Sequence, residues 1–187
     1  MMLDVKTVFE TSRLMACEWN SEFAPAAFEI YSDTKVTEFI SGTFVESTRQ
    51  MKERIESIIQ RNRDYPEGMG SFPIFLKSTG TMVGTALIKP LPLVSGQLAD
   101  EIEIGWHLAR RQWGRGYATE YGQKLIEVGF NDFGLDELHA VVDPPNVKSI
   151  KVAERLGMKH LGQSTKYYEG NPVEHFLMTR EMFESSK

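Results

Sequence analysis

Cysteine is almost missing from these 187 residues, with Cys17 the single one. One thiol cannot close an internal disulfide, so core packing must hold the fold, and a reducing cytosol is the easier home. Long apolar runs are missing too. No stretch approaches the roughly 20 consecutive apolar residues of a membrane span, so no membrane partner is expected. The opening MMLDVKTVFETSR has no basic segment followed by an apolar run, which argues against a signal peptide. Positive charge is not in excess. A net charge of −5 argues against a nucleic-acid partner, which rewards a basic face, and suits a cationic small molecule or basic peptide better. His107, His139, His160 and His175 are scattered, without HExxH or Cys/His spacing, so no metal site is expected. No repeat, linker or low-complexity tract divides the chain, and residues 1–187 read as one cytoplasmic domain.

What is present fits a globular core, with 41% hydrophobic and 25% charged residues. Arg13 to Trp19 alternates crudely and predicts a first strand. Phe23, Ala27, Ile30 and Tyr31 lie on one helical face and predict a helix over Phe23 to Ile40. A second helix is expected from the spacing of Met51, Ile55, Ile58 and Ile59. Ser47 is its N-cap, or Glu46 extends its start, and Pro66, Gly68 and Gly70 end it. SFPIFLKS and TGTMVGTALIKP read as strands joined at Ser78-Thr79-Gly80. LPLVSGQLAD reads as a loop, and EIEIGWHL, Glu101 to Leu108, as a strongly alternating strand. Strand DELHAVVD, helix VKSIKVAERLG and strands MKHLGQSTKYY and PVEHFLMTREM follow, with a hairpin turn at Glu169-Gly170-Asn171. Interleaved strands and helices imply an α/β or α+β domain with a mixed sheet.

Between strand Glu101–Leu108 and the next helix lies RRQWGRGYATE. The first N–H groups of a helix lack intrahelical acceptors, and its dipole places partial positive charge there. Gly114 and Gly116 would let backbone approach an anion without a Cβ in the way, and Arg110, Arg111 and Arg115 would add charge. The plainer alternative is an ordinary helix entry with solvated arginines. Neither familiar phosphate loop fits: GxxxxGK[ST] is absent, and Thr119 stands where a dinucleotide fingerprint needs its third glycine.

Arg111-x-x-Gly114-x-Gly116 resembles the R/Q-x-x-G-x-G/A signature of the GNAT acyl-CoA-dependent N-acetyltransferases. ETSRLMACEW looks like the first strand of their RimJ/RimL-like branch, and EIEIGWHLARRQWGRGYATE like the central strand and pyrophosphate loop. VVDPPNVKSIKVAERLGM is similar to the strand and helix that hold the pantetheine arm. The final hairpin at Tyr167 to Asn171 fits as well, so the likeness runs from about Glu10 to Phe183. It implies a single domain with a mixed, mostly antiparallel central sheet, splayed middle strands and helices on both faces. It also implies acetyl-CoA as co-substrate, with direct transfer to an amine in a ternary complex. Carried over, the backbones of His107 and Leu108 would pair with pantetheine, and an N–H near Leu108 would stabilise the oxyanion. The loop from Arg111 through Gln112, Trp113, Gly114, Arg115, Gly116, Tyr117 and Ala118 would cradle the diphosphate. Trp106, Trp113 and Tyr117 would flank the cofactor or pack in the core. Cys17 lies far from these blocks, so a thiol nucleophile finds no support.

Asn146 reads as a helix N-cap, with Ser149 in the first turn. The resemblance adds a bond from Asn146 to pantetheine and makes Ser149 a cofactor contact and the acid for the leaving thiolate. Ser149 gains weight from a departure: many family members carry an acidic tyrosine where this chain reads Ala153-Glu154-Arg155-Leu156-Gly157-Met158. Glu101 and Glu103 share a strand face beside the acceptor's expected place, with Glu103 the favoured base. RimL-like enzymes place another glutamate near the last hairpin, where Lys166 stands here. His139 and Asp143 alternate on one strand face and are candidates for relaying protons or for structural roles. The acceptor is a protein or peptide N-terminus or a small amine. A CoA-binding sensor without turnover is the rival from another class. The resemblance leaves a homodimer open.

Overall fold

A computed structural model describes residues 5–40 and 42–185; residues 1–4, where the signal-peptide reading begins, lie outside the described residues. The elements run β1 (Thr7–Glu10), β2 (Leu14–Cys17), α1 (Ala24–Tyr31), α2 (Thr34–Thr37), α3 (Thr48–Arg63), β3 (Gly70–Leu76), β4 (Met82–Pro92) and β5 (Leu98–Leu108). After β5 come α4 (Tyr117–Asn131), β6 (Glu137–Val142), α5 (Val147–Arg155), β7 (Lys159–Ser164), β8 (Val173–Thr179) and α6 (Arg180–Ser185). The eight strands are ordered β1-β2-β3-β4-β5-β6-β8-β7. β5 pairs with β6 in parallel, whereas β1–β2, β2–β3, β6–β8 and β7–β8 are antiparallel. The sheet is therefore mixed and mostly antiparallel, as expected. The parallel step requires a long crossover, which α4 supplies.

Several boundaries differ from those read in the sequence; the strand read over MKHLGQSTKYY, for one, stops at Ser164. The helix expected over Phe23 to Ile40 is two helices. Asp33 adopts an extended conformation and its carboxylate accepts from the Lys35 N–H at 3.0 Å, capping α2 and ending the run. The loop expected over LPLVSGQLAD shrinks to a turn, because β4 continues to Pro92 and β5 starts at Leu98; Leu93 donates to the Gln97 carbonyl at 2.8 Å. The last strand stops at Thr179, whose hydroxyl accepts from the Met182 N–H at 3.2 Å and opens α6. β1 was not foreseen. Ser47 caps α3 through a bond from the Gln50 N–H at 3.2 Å, the first of the two expected starts.

The chain divides into two compact units, one formed by the residues up to Leu87 with Trp106–Tyr121, the other by Ile88–Gly105 with the residues from Gly122 onward. In the first, α1 and α3 bury Ala27, Ile30, Met51, Ile55 and Ile58 against Cys17, Trp19, Phe75 and Met82. Each such side chain contributes roughly 1.5–3 kcal/mol of burial. In the second, the register sets Leu138 opposite Met178 and Ala140 opposite Phe176, so these four apolar residues share a face. Phe130 of α4 stacks on Phe183 of α6 with centroids 5.0 Å apart. The Arg180 guanidinium donates to the carbonyls of Phe130 and Leu135 at 3.1 and 2.5 Å, tying these ends together.

One close approach in the first unit admits only glycine. A Cβ on Gly84 of β4 would lie 1.9 Å from the carbonyl oxygen of His107, a backbone atom that cannot swing aside. The Ala109 N–H donates to the Val83 carbonyl at 2.9 Å at the same place. Gly84→Ala should therefore destabilise the fold by about 1–3 kcal/mol or more, read as a lower midpoint in thermal unfolding followed by circular dichroism.

Candidate active site

β5 ends at Leu108, a single 3-10 turn covers Arg110–Gln112, and α4 opens at Tyr117. Gly114 and Gly116 between them have φ of +76° and +79°, the left-handed region that L side chains avoid. A Cβ at Gly114 would meet nothing within 4 Å, so that bend opens on free space. The Gln112 and Trp113 N–H groups donate to the Ala109 and Arg110 carbonyls at 2.8 and 3.2 Å. The ladder of α4 begins with Glu120 N–H to the Gly116 carbonyl at 2.9 Å. Gln112 is 8% exposed, and its Oε1 has no hydrogen-bond partner among the described residues.

Arg13, 102 residues earlier than Arg115, fixes this bend. Its Nη1 donates to the Arg115 carbonyl at 3.1 Å, its Nε pairs with Glu120 Oε2 at 2.5 Å, and its guanidinium lies 4.6 Å from the Tyr117 ring centroid. Glu120 also accepts from the Thr11 hydroxyl and the Arg13 N–H. Arg110 and Arg111 are engaged elsewhere, with Asp33 at 2.9 Å and Glu29 at 3.3 Å, which cancels part of the charge expected around the bend. The Trp113 indole donates to the Leu108 carbonyl at 2.8 Å, and His107 Nδ1 meets the buried Tyr31 hydroxyl at 3.2 Å. Tyr31 in turn donates to Thr85 at 2.7 Å.

The second unit holds the remaining candidates. Asn146 caps α5 through Oδ1, accepting from the Ser149 N–H at 3.2 Å, and Ser149 is half-buried in the first turn. Ala153 is fully buried. Glu103 is 3% exposed, and its Oε1 receives both the Lys89 ammonium and the Tyr168 hydroxyl. Tyr168 has φ +53°, the one positive value outside glycine among the described residues. Strain of this kind persists where the surroundings impose it. Here Tyr168 N–H to the Pro92 carbonyl at 2.8 Å and Val94 N–H to the Lys166 carbonyl at 3.2 Å pin the segment. Glu101 is bound by Lys166, and this hydrogen bond holds its carboxyl below the usual range despite partial burial. His139 meets His175 and Glu137, not Asp143, whose carbonyl accepts from the Asn146 N–H. Burial, followed by the charge of Glu18, pushes the Cys17 thiol up to about 11, so it is no nucleophile.

A family model described as acetyltransferase (GNAT) domain matches residues 13–159. The chain belongs to the GNAT acetyltransferases. It is 32% identical over 158 residues to the uncharacterized N-acetyltransferase p20 of Bacillus licheniformis, covering 84% of this chain and 85% of that protein. Two solved structures share the fold. RimL, a ribosomal L7/L12 α-N-protein acetyltransferase in complex with coenzyme A, matches with a TM-score of 0.74 at 14% identity, over 95% of this chain and 99% of RimL. An aminoglycoside acetyltransferase, AAC(6')-Ib, in complex with coenzyme A matches with a TM-score of 0.72 at 18% identity, over 92% and 98%. This protein is accordingly an acetyltransferase with the GNAT fold.

The residues expected to meet the cofactor, and the expected base Glu103, fall in both units. His107, Leu108 and Arg111 through Ala118 form the continuous bend of the first; Asn146, Ser149 and Glu103 lie in the second. The sequence reading gave no part to Arg13, Thr11 and Glu120, which bind across more than 100 residues. It also missed Lys89 and Tyr168 around Glu103. A signal was available for the last pair: a carboxylate facing a sheet interior needs a cationic or hydroxylic partner.

Burial alone would raise the Glu120 carboxyl, but the Thr11 hydroxyl and the Arg13 guanidinium and N–H together hold it below the ordinary value. Its stabilising contribution is therefore present above the unfolded value of about 4.3 and lost as pH falls through the lower folded one. Glu120→Gln should lower the unfolding midpoint at neutral pH, and the gap from the unsubstituted protein should narrow on acidification to about pH 3. Scanning calorimetry across that range checks it.

Proposed function

We propose that this GNAT acetyltransferase uses acetyl-CoA to acetylate a primary amine by direct attack in a ternary complex, residues 1–187 acting as one N-acetyltransferase domain. The reading is carried by the bend at Gly114 and Gly116, where two left-handed glycines and the start of α4 offer backbone amides to an anion. The amides from Gly114 to Ala118 serve a diphosphate, since those of Gln112 and Trp113 are used within the turn. Asn146 caps with its oxygen, which leaves its NH₂ for the pantetheine arm.

Ser149 is the acid for the departing thiolate, because Ala153 carries no proton to give. Glu103 is the base. The acceptor's ammonium competes with Lys89 for this carboxylate, which draws the amine in and takes its proton. Protein N-termini and small amines both suit the site; an α-amine, with pKa about 7.7–8.0, demands less of the base than a lysine side chain at about 10.4. The RimJ/RimL-like blocks around Arg13 and the last hairpin favour the protein N-terminus, and the departure at Lys166 turns specificity away from ribosomal proteins. The lone Cys17 fits a cytoplasmic setting, and no helix among the described residues is long and apolar enough to cross a membrane.

Titration calorimetry with CoA should show binding. Gly114→Ala should weaken it about tenfold, since an L side chain pays roughly 1–2 kcal/mol in the left-handed region, while the fold persists because the added methyl meets open space. Absence of affinity in the unsubstituted protein, or unchanged affinity in the variant, would sink the reading of this bend. Ser149→Ala and Glu103→Gln should each lower the rate of thiol release by about a hundredfold with acetyl-CoA and amine saturating. A rate equal to the parent's across the pH range would remove the corresponding role.

A further inference from the structure

Glu103 of β5 stands opposite His139 of β6 in the parallel register, so the two side chains share a sheet face. That face also carries Glu101, Glu137 and His175, whereas the opposite one carries Leu138, Ala140, Phe176 and Met178. A base only 3% exposed cannot hand its proton directly to bulk water. The buried His139 provides a way out: its Nδ1 meets His175 Nε2 at 2.9 Å, and its Nε2 meets Glu137 Oε1 at 3.2 Å. The Glu137 side chain is 52% exposed, against 6% for that of His139. We propose that His175, His139 and Glu137 form a proton exit, which takes the proton shed by the acceptor ammonium and delivers it to solvent. This inference rests on the amine-acetylation reading above.

An ionised carboxylate can only accept, so His139 Nε2–H donates to Glu137. With one proton per ring, His139 Nδ1 accepts from His175 Nε2–H, and His175 Nδ1 keeps a lone pair for an incoming proton. The ammonium loses one proton to Glu103 and becomes the attacking amine, and Glu103, set opposite His139 across the strand pair, passes that proton to the cluster. The cluster gains that proton as an imidazolium shared across the 2.9 Å contact. Glu137 then carries one proton to water, and the rings return to one proton each. Glu101 of β5 and Glu137 of β6 face the pair as counter-charges, and Lys166 opposes them from the segment before β8. Tyr167 closes the other side with its ring edge-on to His175 at 5.3 Å. On β8, Glu174 is engaged with His160 and Gln163. Burial, then the charge of His139, holds His175 below the ordinary imidazole range, so the exit is open to a proton at neutral pH and closes on acidification.

The test measures thiol release with saturating acetyl-CoA and amine, from about pH 5 to about pH 9, in weak and in strong buffer. It compares the unsubstituted protein with His175→Gln and with Glu137→Gln, whose exposed position spares the fold. Both variants should lose about tenfold in kcat in weak buffer, lose the acid limb of the profile, and regain rate with added imidazole. KM for acetyl-CoA and CoA affinity by calorimetry should stay unchanged. Profiles within twofold of the parent in both variants would overturn the exit, as would a loss that imidazole does not restore in folded protein. Absence of thiol release from unsubstituted protein that still binds CoA would overturn the amine-acetylation reading, and the exit with it.

Discussion

One guanidinium organises the part of the chain that family membership makes most informative. Arg13 holds the Arg115 carbonyl, the Glu120 carboxylate and the Tyr117 ring together. Two glycines a residue apart would otherwise give this bend wide backbone freedom. Tethered at its last carbonyl and at the first turn of α4, the bend has its amides oriented before any ligand arrives. Glu120 adds to this, because an acidic residue in the first turn of a helix also suits its dipole.

The second unit meets a different demand. One face of its sheet carries Leu138, Ala140, Phe176 and Met178, and on the other Glu103 and His139 are buried beside Glu101, Glu137 and His175. Removing a carboxylate from water is costly unless a partner replaces the lost solvation. Lys89 and Tyr168 meet that need at Glu103, and Lys166 and Tyr167 meet it at Glu101. Tyr168 does so from a backbone conformation that few non-glycine residues adopt. Apolar side chains would have filled this face more stably, so retaining charge here points to chemistry over packing.

Much of the architecture was legible because its signals are local. The alternation of EIEIGWHL marks β5, and the oxygens of Ser47 and Asn146 mark two helix starts that the structure confirms. The glycine bend was legible for the same reason, since glycine is the residue that adopts positive φ without steric cost. The break between α1 and α2 was missed because the apolar spacing runs on past Asp33, whose capping bond interrupts it. The roles of Arg13 and Glu120, or of His139 and His175, could not be read from spacing. They depend on pairs 107 and 36 residues apart, which only the strand order brings together.

Ala153 stands where the resemblance led to a tyrosine and Lys166 where RimL-like enzymes would carry a glutamate, and their surroundings account for them differently. Ala153 is fully buried in α5, where a phenol would need both space and a partner. The acid function assigned to Ser149 therefore rests on an element whose start is fixed by the Asn146 cap. Lys166 replaces a carboxylate with an ammonium, and that ammonium is spent on Glu101. Pairing Glu101 in this way lowers its basicity while Glu103 keeps its own cation in Lys89. Both strand carboxylates are tied from the segment before β8, Glu101 by Lys166 and Glu103 by Tyr168, and Glu103 is held by Lys89 of the neighbour strand β4 as well.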